Sequence, residues 1–233
     1  MKKTLLNTFP ISISFFLGVT AQADYIGPQP YLDFNATAAG AAVSPFANLP
    51  DFEYFYLEDF EDEALNTPGA SLLESEDDLS GSFAFSDSVD GDDGQIDGEA
   101  NGTLSLFSGF STETFTFVFS ENQLGNLPTH AGIVWTDIGR NNGGTPFPSN
   151  LIDNVYFEAF DSSGASLGIH GPFSLGDESI SRTTDEDRFF GVFNAGGISS
   201  IKISMPGKNN WEVDHLQYGF INFSIFSDGF ELF

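Results

Sequence analysis

The chain has 233 residues, 34 of them acidic and 7 basic, for a formal net charge of −27, and it contains no cysteine. A surface of that sign repels nucleic acid and anionic lipid, and the missing thiols remove disulfides and thiol chemistry as sources of stability or catalysis. What remains to build a core is aromatic carbon, supplied by 27 phenylalanines, which suffices for one domain of sandwich size.

Residues 1–23 read as a secretory signal peptide. Lys2 and Lys3 precede an apolar run through Ile11, Ile13, Phe15, Phe16, Leu17 and Val19, and Ala21-Gln22-Ala23 forms an A-x-A cleavage site. Cleavage leaves five basic against 34 acidic residues, a formal charge of −29. Residues 24–50 are rich in Ala, Pro, Gly and Asn and predict an extended leader with one edge strand at Tyr31 to Phe34.

The run 51–219 predicts an all-β domain. Phe52 to Phe60 is the first clear strand, turned away by Asn66-Thr67-Pro68-Gly69; Ser71 to Leu79 has room for one helical turn. Gly81 to Ser86 and Gly102 to Phe107 are short strands. In Glu113 to Phe119 the rings of Phe115, Phe117 and Phe119 alternate with Thr114, Thr116 and Val118, the period of two that puts one strand face in a core. Ala131 to Asp137 follows, and Asn154 to Asp161 with Ser166 to His170 flank the compact turn Ser162-Ser163-Gly164 as a hairpin. Phe189 to Phe193, Ile198 to Ser204 and Trp211 to Tyr218 predict three adjacent antiparallel strands, a meander with glycine-rich turns between them. Residues 220–233 complete a last strand and a tail. About ten short strands with turns every 8 to 12 residues predict a single-domain antiparallel β-sandwich or jelly roll.

Three groups of residues carry chemical expectations. The acidic turn Asp87 to Gly98 predicts a structural calcium site through Asp90, Asp92 and Asp97, because calcium gathers six to eight oxygens and glycines between the carboxylates let the backbone bend around it. The loop departs from an EF-hand, since Gly94 comes one position early and no closing glutamate follows. A second metal set, Glu58 and Glu61 with Asp214, follows if the first and last strands lie side by side. Tyr156, Trp211 and Tyr218 are the aromatic candidates for stacking on a sugar, whose C–H faces pack on rings while its hydroxyls seek polar edges.

No catalytic residues are assigned. Gly164-Ala165-Ser166-Leu167-Gly168 matches G-x-S-x-G, but it follows a hairpin turn and leads into no helix, as a nucleophile elbow requires. Ser199-Ser200-Ile201-Lys202 sits inside an alternating strand, and His130, His170 and His215 lack any paired ligand spacing.

Asp59-Phe60-Glu61-Asp62, Leu65 to Gly69, Asp87 to Gly94, Leu127 to Asp137, Asp187 to Val192 and Val213 to Gly219, in that order, are similar to segments of a group of exported bacterial proteins, many of which carry a PEP-CTERM sorting tail. The resemblance covers about Tyr56 to Gly219 and implies a jelly-roll-like extracellular domain with no general assigned activity. Val213-Asp214-x-Leu216-x-Tyr218 also resembles the last strand of lectin-like sandwiches. The sequence departs from the group after Gly219, where Ile225 to Glu231 resembles a different short ending of exported Gram-negative proteins.

The expectation is a secreted or surface-exposed bacterial β-sandwich that is non-catalytic, holds calcium structurally, contacts extracellular glycan or matrix, and has neither a nucleic-acid partner nor a transmembrane span after signal cleavage. The alternatives are a glycan hydrolase or lyase on the same scaffold, and a purely structural surface protein.

Overall fold

The computed structural model describes residues 23–34, 42–49, 51–73, 89, 104–108, 112–137, 154–175, 187–207 and 211–223. The segment before residue 23, expected to be a signal peptide, the strand expected at Gly81 to Ser86 and residues 224–233 lie outside these. In order, the elements are β1 (Asp24–Pro30), β2 (Phe52–Glu58), β3 (Ala70–Leu72), β4 (Leu106–Phe107), β5 (Thr114–Phe119), the single helical turn α1 (Glu121–Leu124), β6 (His130–Asp137), β7 (Asn154–Asp161), β8 (Ser166–Ser174), β9 (Arg188–Phe193), β10 (Ile198–Ser204) and β11 (Glu212–Ile221). No helix among the described residues is long and apolar enough to cross a membrane.

The alternating apolar positions lead directly to two packed antiparallel sheets. The first runs β1-β9-β6-β11-β2, with β4 also paired to β11; the second runs β3-β5-β10-β7-β8. Phe115 and Phe117 of β5, Phe157 of β7, Ile201 and Ile203 of β10, and Trp135, Phe190, Val213, Leu216 and Tyr218 of the first sheet meet between the layers and are buried. Burying such side chains contributes roughly 1.5–3 kcal/mol each, and that apolar layer holds the sandwich together. The four-strand sets β2-β11-β6-β9 and β5-β10-β7-β8 make it a jelly roll.

The expected meander does not form. β9 and β11 both pair with β6 in the first sheet, whereas β10 lies in the second between β5 and β7. Alternation along a strand specifies which face is buried, but two strands buried on opposite layers carry the same pattern. The turn after β9 makes the crossing: the Asn194 side-chain amide donates to the Gly197 carbonyl at 2.7 Å, and Gly197 adopts a φ of +88° that only glycine takes cheaply. The hairpin β7–β8 forms as expected, with the Asp161 carboxylate accepting from the Ser163 and Ala165 amides.

The leader is built into the fold. Its strand is β1 rather than Tyr31 to Phe34, and it pairs with β9 along the edge of the first sheet. Tyr25 of β1 then ties the two sheets, donating its hydroxyl to the Gly168 carbonyl of β8 and stacking on His170 at 5.2 Å, while the His170 ring meets the Gly27 carbonyl at 2.6 Å. Residues beyond β1 roof the outer face of the first sheet. There Tyr31, Phe46 and Val89 form a second small core with Val134 and Phe189. Two glycines paired across β6 and β9, Gly132 and Gly191, make room for the Phe189 ring; a Cβ at Gly132 would meet it at 2.3 Å.

Candidate functional site

The first and last strands of the jelly roll do lie side by side: Glu58 of β2 pairs with Leu216 of β11. Glu58 and Asp214 are nevertheless kept on opposite faces of the sheet. Val213 and Leu216 both face the core although they are three residues apart, because β11 breaks register against β6 between Asp214 and Gln217 and His215 takes a φ of +44°. The extra residue turns Asp214 to the outer face while Glu58, opposite Leu216, faces inward.

Each carboxylate then finds a structural partner. Glu58, 3% exposed, accepts from the backbone amides of Phe60 at 3.2 Å, Asn66 at 2.9 Å and Thr67 at 3.0 Å, closing the turn after β2. Asp214, 2% exposed, accepts from Val89 at 2.9 Å and from its neighbour His215 at 2.6 Å. Burial pushes the Asp214 carboxyl well above its ordinary value, the two amides pull it back in part, and the charges of Glu61 and Asp59 raise it further. The Glu61 carboxylate, exposed, accepts from Leu104 at 3.1 Å. Among the described residues no group of three or more acidic or histidine side chains is placed to hold a metal. Glu58, on the inner face, therefore does not join Asp214 on the outer one, whereas Glu61 lies close enough to Asp214 for its charge to act there. Asp90, Asp92 and Asp97 lie outside the described residues; Val89, which leads into them, is the residue bonded to Asp214.

Beside Asp214 the outer face of the first sheet carries a buried polar relay that sequence reasoning missed. The Phe46 amide donates to Ser44 Oγ, Ser44 to Gln217 Oε1 at 2.5 Å and Gln217 Nε2 to the Tyr31 hydroxyl at 2.9 Å, and that hydroxyl shares a hydrogen bond with His215 Nδ1 at 2.8 Å. Burial lowers the His215 pKa to about 4 against the opposing charges of Asp33 and Glu61, so the ring is neutral near pH 7. The readable sign was the break in spacing at Asp214-His215, two polar residues interrupting a period of two. His130, at the other end of that face, sits among the rings of Phe46, Phe52, Phe193 and Phe223, with centroids 4.9–6.4 Å away, and burial also lowers its pKa to about 4.

Of the three aromatic candidates, two are corrected. Trp211 is 0% exposed, packed on Phe115 at 4.9 Å, and Tyr218 is 0% exposed, packed on Phe119 at 4.8 Å with its hydroxyl donating to the Pro68 carbonyl. Both lie on the inner face of β11 or just before it, so neither ring has a side to offer a sugar. Tyr156 faces outward from β7 and is half-buried.

The outer face around Tyr156 differs from the roofed one. Thr116, Lys202, Glu158 and Ile169 form one row in register across β5, β10, β7 and β8. Val118, Ser200, Phe160 and Ser166 form the next. Glu158 is fixed by a salt bridge from Lys202 and by Ser166, whose hydroxyl donates at 2.6 Å. Burial alone would raise its carboxyl; these two hydrogen bonds and the Lys202 charge bring it below its ordinary value. The ammonium also sits 5.4 Å from the Phe160 ring centroid. Ser166, the central residue of the G-x-S-x-G match, is thereby a structural partner of Glu158, and Ser199 of the S-x-x-K match donates to the Asp161 carbonyl.

With this geometry in hand, comparison finds no match among protein-family models, curated proteins or solved structures.

Proposed function

We propose that the protein is an exported, non-catalytic β-sandwich module of a bacterium, secreted or held at the cell surface, whose ligand class is carbohydrate and whose acidic turn takes calcium structurally through Asp90, Asp92 and Asp97. The observation that carries this reading is the unequal treatment of the two outer faces. The chain roofs the first sheet with its own Tyr31, Phe46 and Val89, whereas the described residues around Tyr156 on the second sheet combine ring edges with a fixed polar pair. Surfaces of that mixed character suit ligands with both C–H faces and hydroxyl rims.

The non-catalytic part rests on how the buried carboxylates are used. Glu58 and Asp214 bind backbone amides, Glu158 binds Lys202 and Ser166, and Glu212 accepts from Ser105 at 2.9 Å. A general acid or base needs its carboxyl facing substrate. The test is a glycan array in calcium buffer, repeated in chelator. Binding to defined glycans supports the reading; a blank array in both buffers refutes the ligand class and leaves a structural surface component.

A further inference from the structure

We propose that the export peptidase cuts this chain between Ala21 and Gln22, two residues before the bond that the A-x-A match marks, so that the exported protein begins Gln22-Ala23-Asp24 and keeps Ala23 as part of its fold. This rests on the export reading and moves the end of the signal.

Ala23 belongs to the sandwich. It is 6% exposed and is a member of the core between the two sheets, together with Phe157, Val192 and Ile198. Its place follows from the pleat of β1, in which side chains two residues apart share a face. Tyr25, two residues on, points inward: its ring meets Phe157 edge-on at 6.0 Å, and its hydroxyl accepts from the Ala159 amide at 3.3 Å. Between the two, Asp24 is exposed and pairs with Phe193 of β9. Ala23 therefore extends the inward row of β1 by one step, while Asp24 begins the outward row.

A cut after Ala23 would undo that step. It removes a buried methyl group and places the new α-ammonium on Asp24, the first paired residue of β1, at the mouth of the layer that Ala23 lines. A charge there has to stay hydrated, which opens the end of the strand. The bond after Ala23 also joins a buried residue to a paired one, so once β1 lies against β9 a protease cleft cannot take it up. The bond after Ala21 precedes both residues.

The sequence offers the earlier cut. Val19-Thr20-Ala21 puts alanine just before the bond and a small branched residue two before that, the same pattern as Ala21-Gln22-Ala23, and it follows the apolar run more closely. The motif alone does not choose between the two matches, because Ala21 serves both. The burial of Ala23 does.

The experiment is to express the full precursor in a Gram-negative host, recover the exported protein and measure its intact mass. The expected product is heavier than one beginning at Asp24 by one glutamine and one alanine residue, or by that less one ammonia where the α-amine of Gln22 has displaced ammonia from its own side-chain amide. A mass beginning at Asp24 as the main product overturns the proposal. Precursor of full mass that stays in the cell refutes the export reading beneath it. Ala23→Gln removes the small residue that a cut after position 23 requires and leaves Val19 and Ala21 in place. In a short labelling pulse, read before folding matters, its processing should match wild type, and accumulated precursor overturns the proposal. Thermal unfolding of two chains released from a fusion partner, one beginning at Gln22 and the other at Asp24, checks the packing. The longer chain should melt higher, and equal midpoints remove the structural ground for the earlier cut and overturn it.

Discussion

Replacing Glu58 by alanine tests whether this carboxylate is a turn staple or a metal ligand. Three backbone N–H groups, from Phe60, Asn66 and Thr67, converge on one side chain that is 3% exposed. Each bond to a charged acceptor is worth about 1.5–3 kcal/mol, and an amide left unsatisfied in a buried site costs about 1–3 kcal/mol. Asn66 is exposed enough for its amide to recover water, so the total loss is set by the other two and comes to about 3–6 kcal/mol. At roughly 2–4 °C per kcal/mol for a chain of this size, the melting temperature falls by on the order of 10 °C or more. Urea unfolding of wild type and E58A, each in calcium and in EDTA, reads the difference directly. A loss of the same size in both buffers supports the staple. A loss below about 1 kcal/mol, or one present only in calcium, refutes the hydrogen-bond reasoning.

Acid should weaken the fold through its two buried histidines. With folded pKa values of about 4 for His130 and His215 against an ordinary 6.5, stability is full above pH 6.5 and falls as pH drops toward 4, because the unfolded chain takes up protons the folded one refuses. Each contributes at most about 3 kcal/mol, and Asp214, whose carboxyl is raised, works in the opposite direction. Denaturation midpoints between pH 7 and 4.5 should fall less steeply for His130→Gln. Calcium should raise the melting temperature of wild type, and Asp90→Asn with Asp92→Asn should abolish that rise without changing the midpoint in EDTA. Gly132→Ala places a Cβ 2.3 Å from the Phe189 ring and 2.7 Å from the Phe190 carbonyl, so a loss of at least about 2 kcal/mol is expected in calorimetry.

How far the fold was legible depended on what each residue pattern encodes. β10 spans Ile198–Ser204 as the alternation predicts, and the phenylalanines of β5 all point inward. Layer membership was illegible, because the period of two is the same for a strand in either sheet. The break at Asp214-His215 overturned the most specific site expectation: one inserted residue reversed the face of Asp214, and no propensity scale flags a histidine at positive φ. Tyr218 was misjudged for a different reason. An aromatic side chain with one polar tip reads the same whether its hydroxyl meets water or, as here, a backbone carbonyl such as that of Pro68. The leader lacked periodicity, so its role as a roof came only from Tyr31 and Phe46, two rings with no pattern around them.

The crossing of β9, β10 and β11 between layers bears on how this molecule is made. Every strand of the final third completes a ladder whose other rungs were synthesised long before, so β6 waits for both β9 and β11, and β5 and β7 wait for β10. Neither layer can close while the last segment is still emerging, and such distant pairings slow folding. A product cut before Trp211 is therefore no smaller version of the protein: it exposes the β5 rings of Phe115 and Phe119, which pack on Trp211 and Tyr218, and the unpaired side of β6, surfaces that invite aggregation.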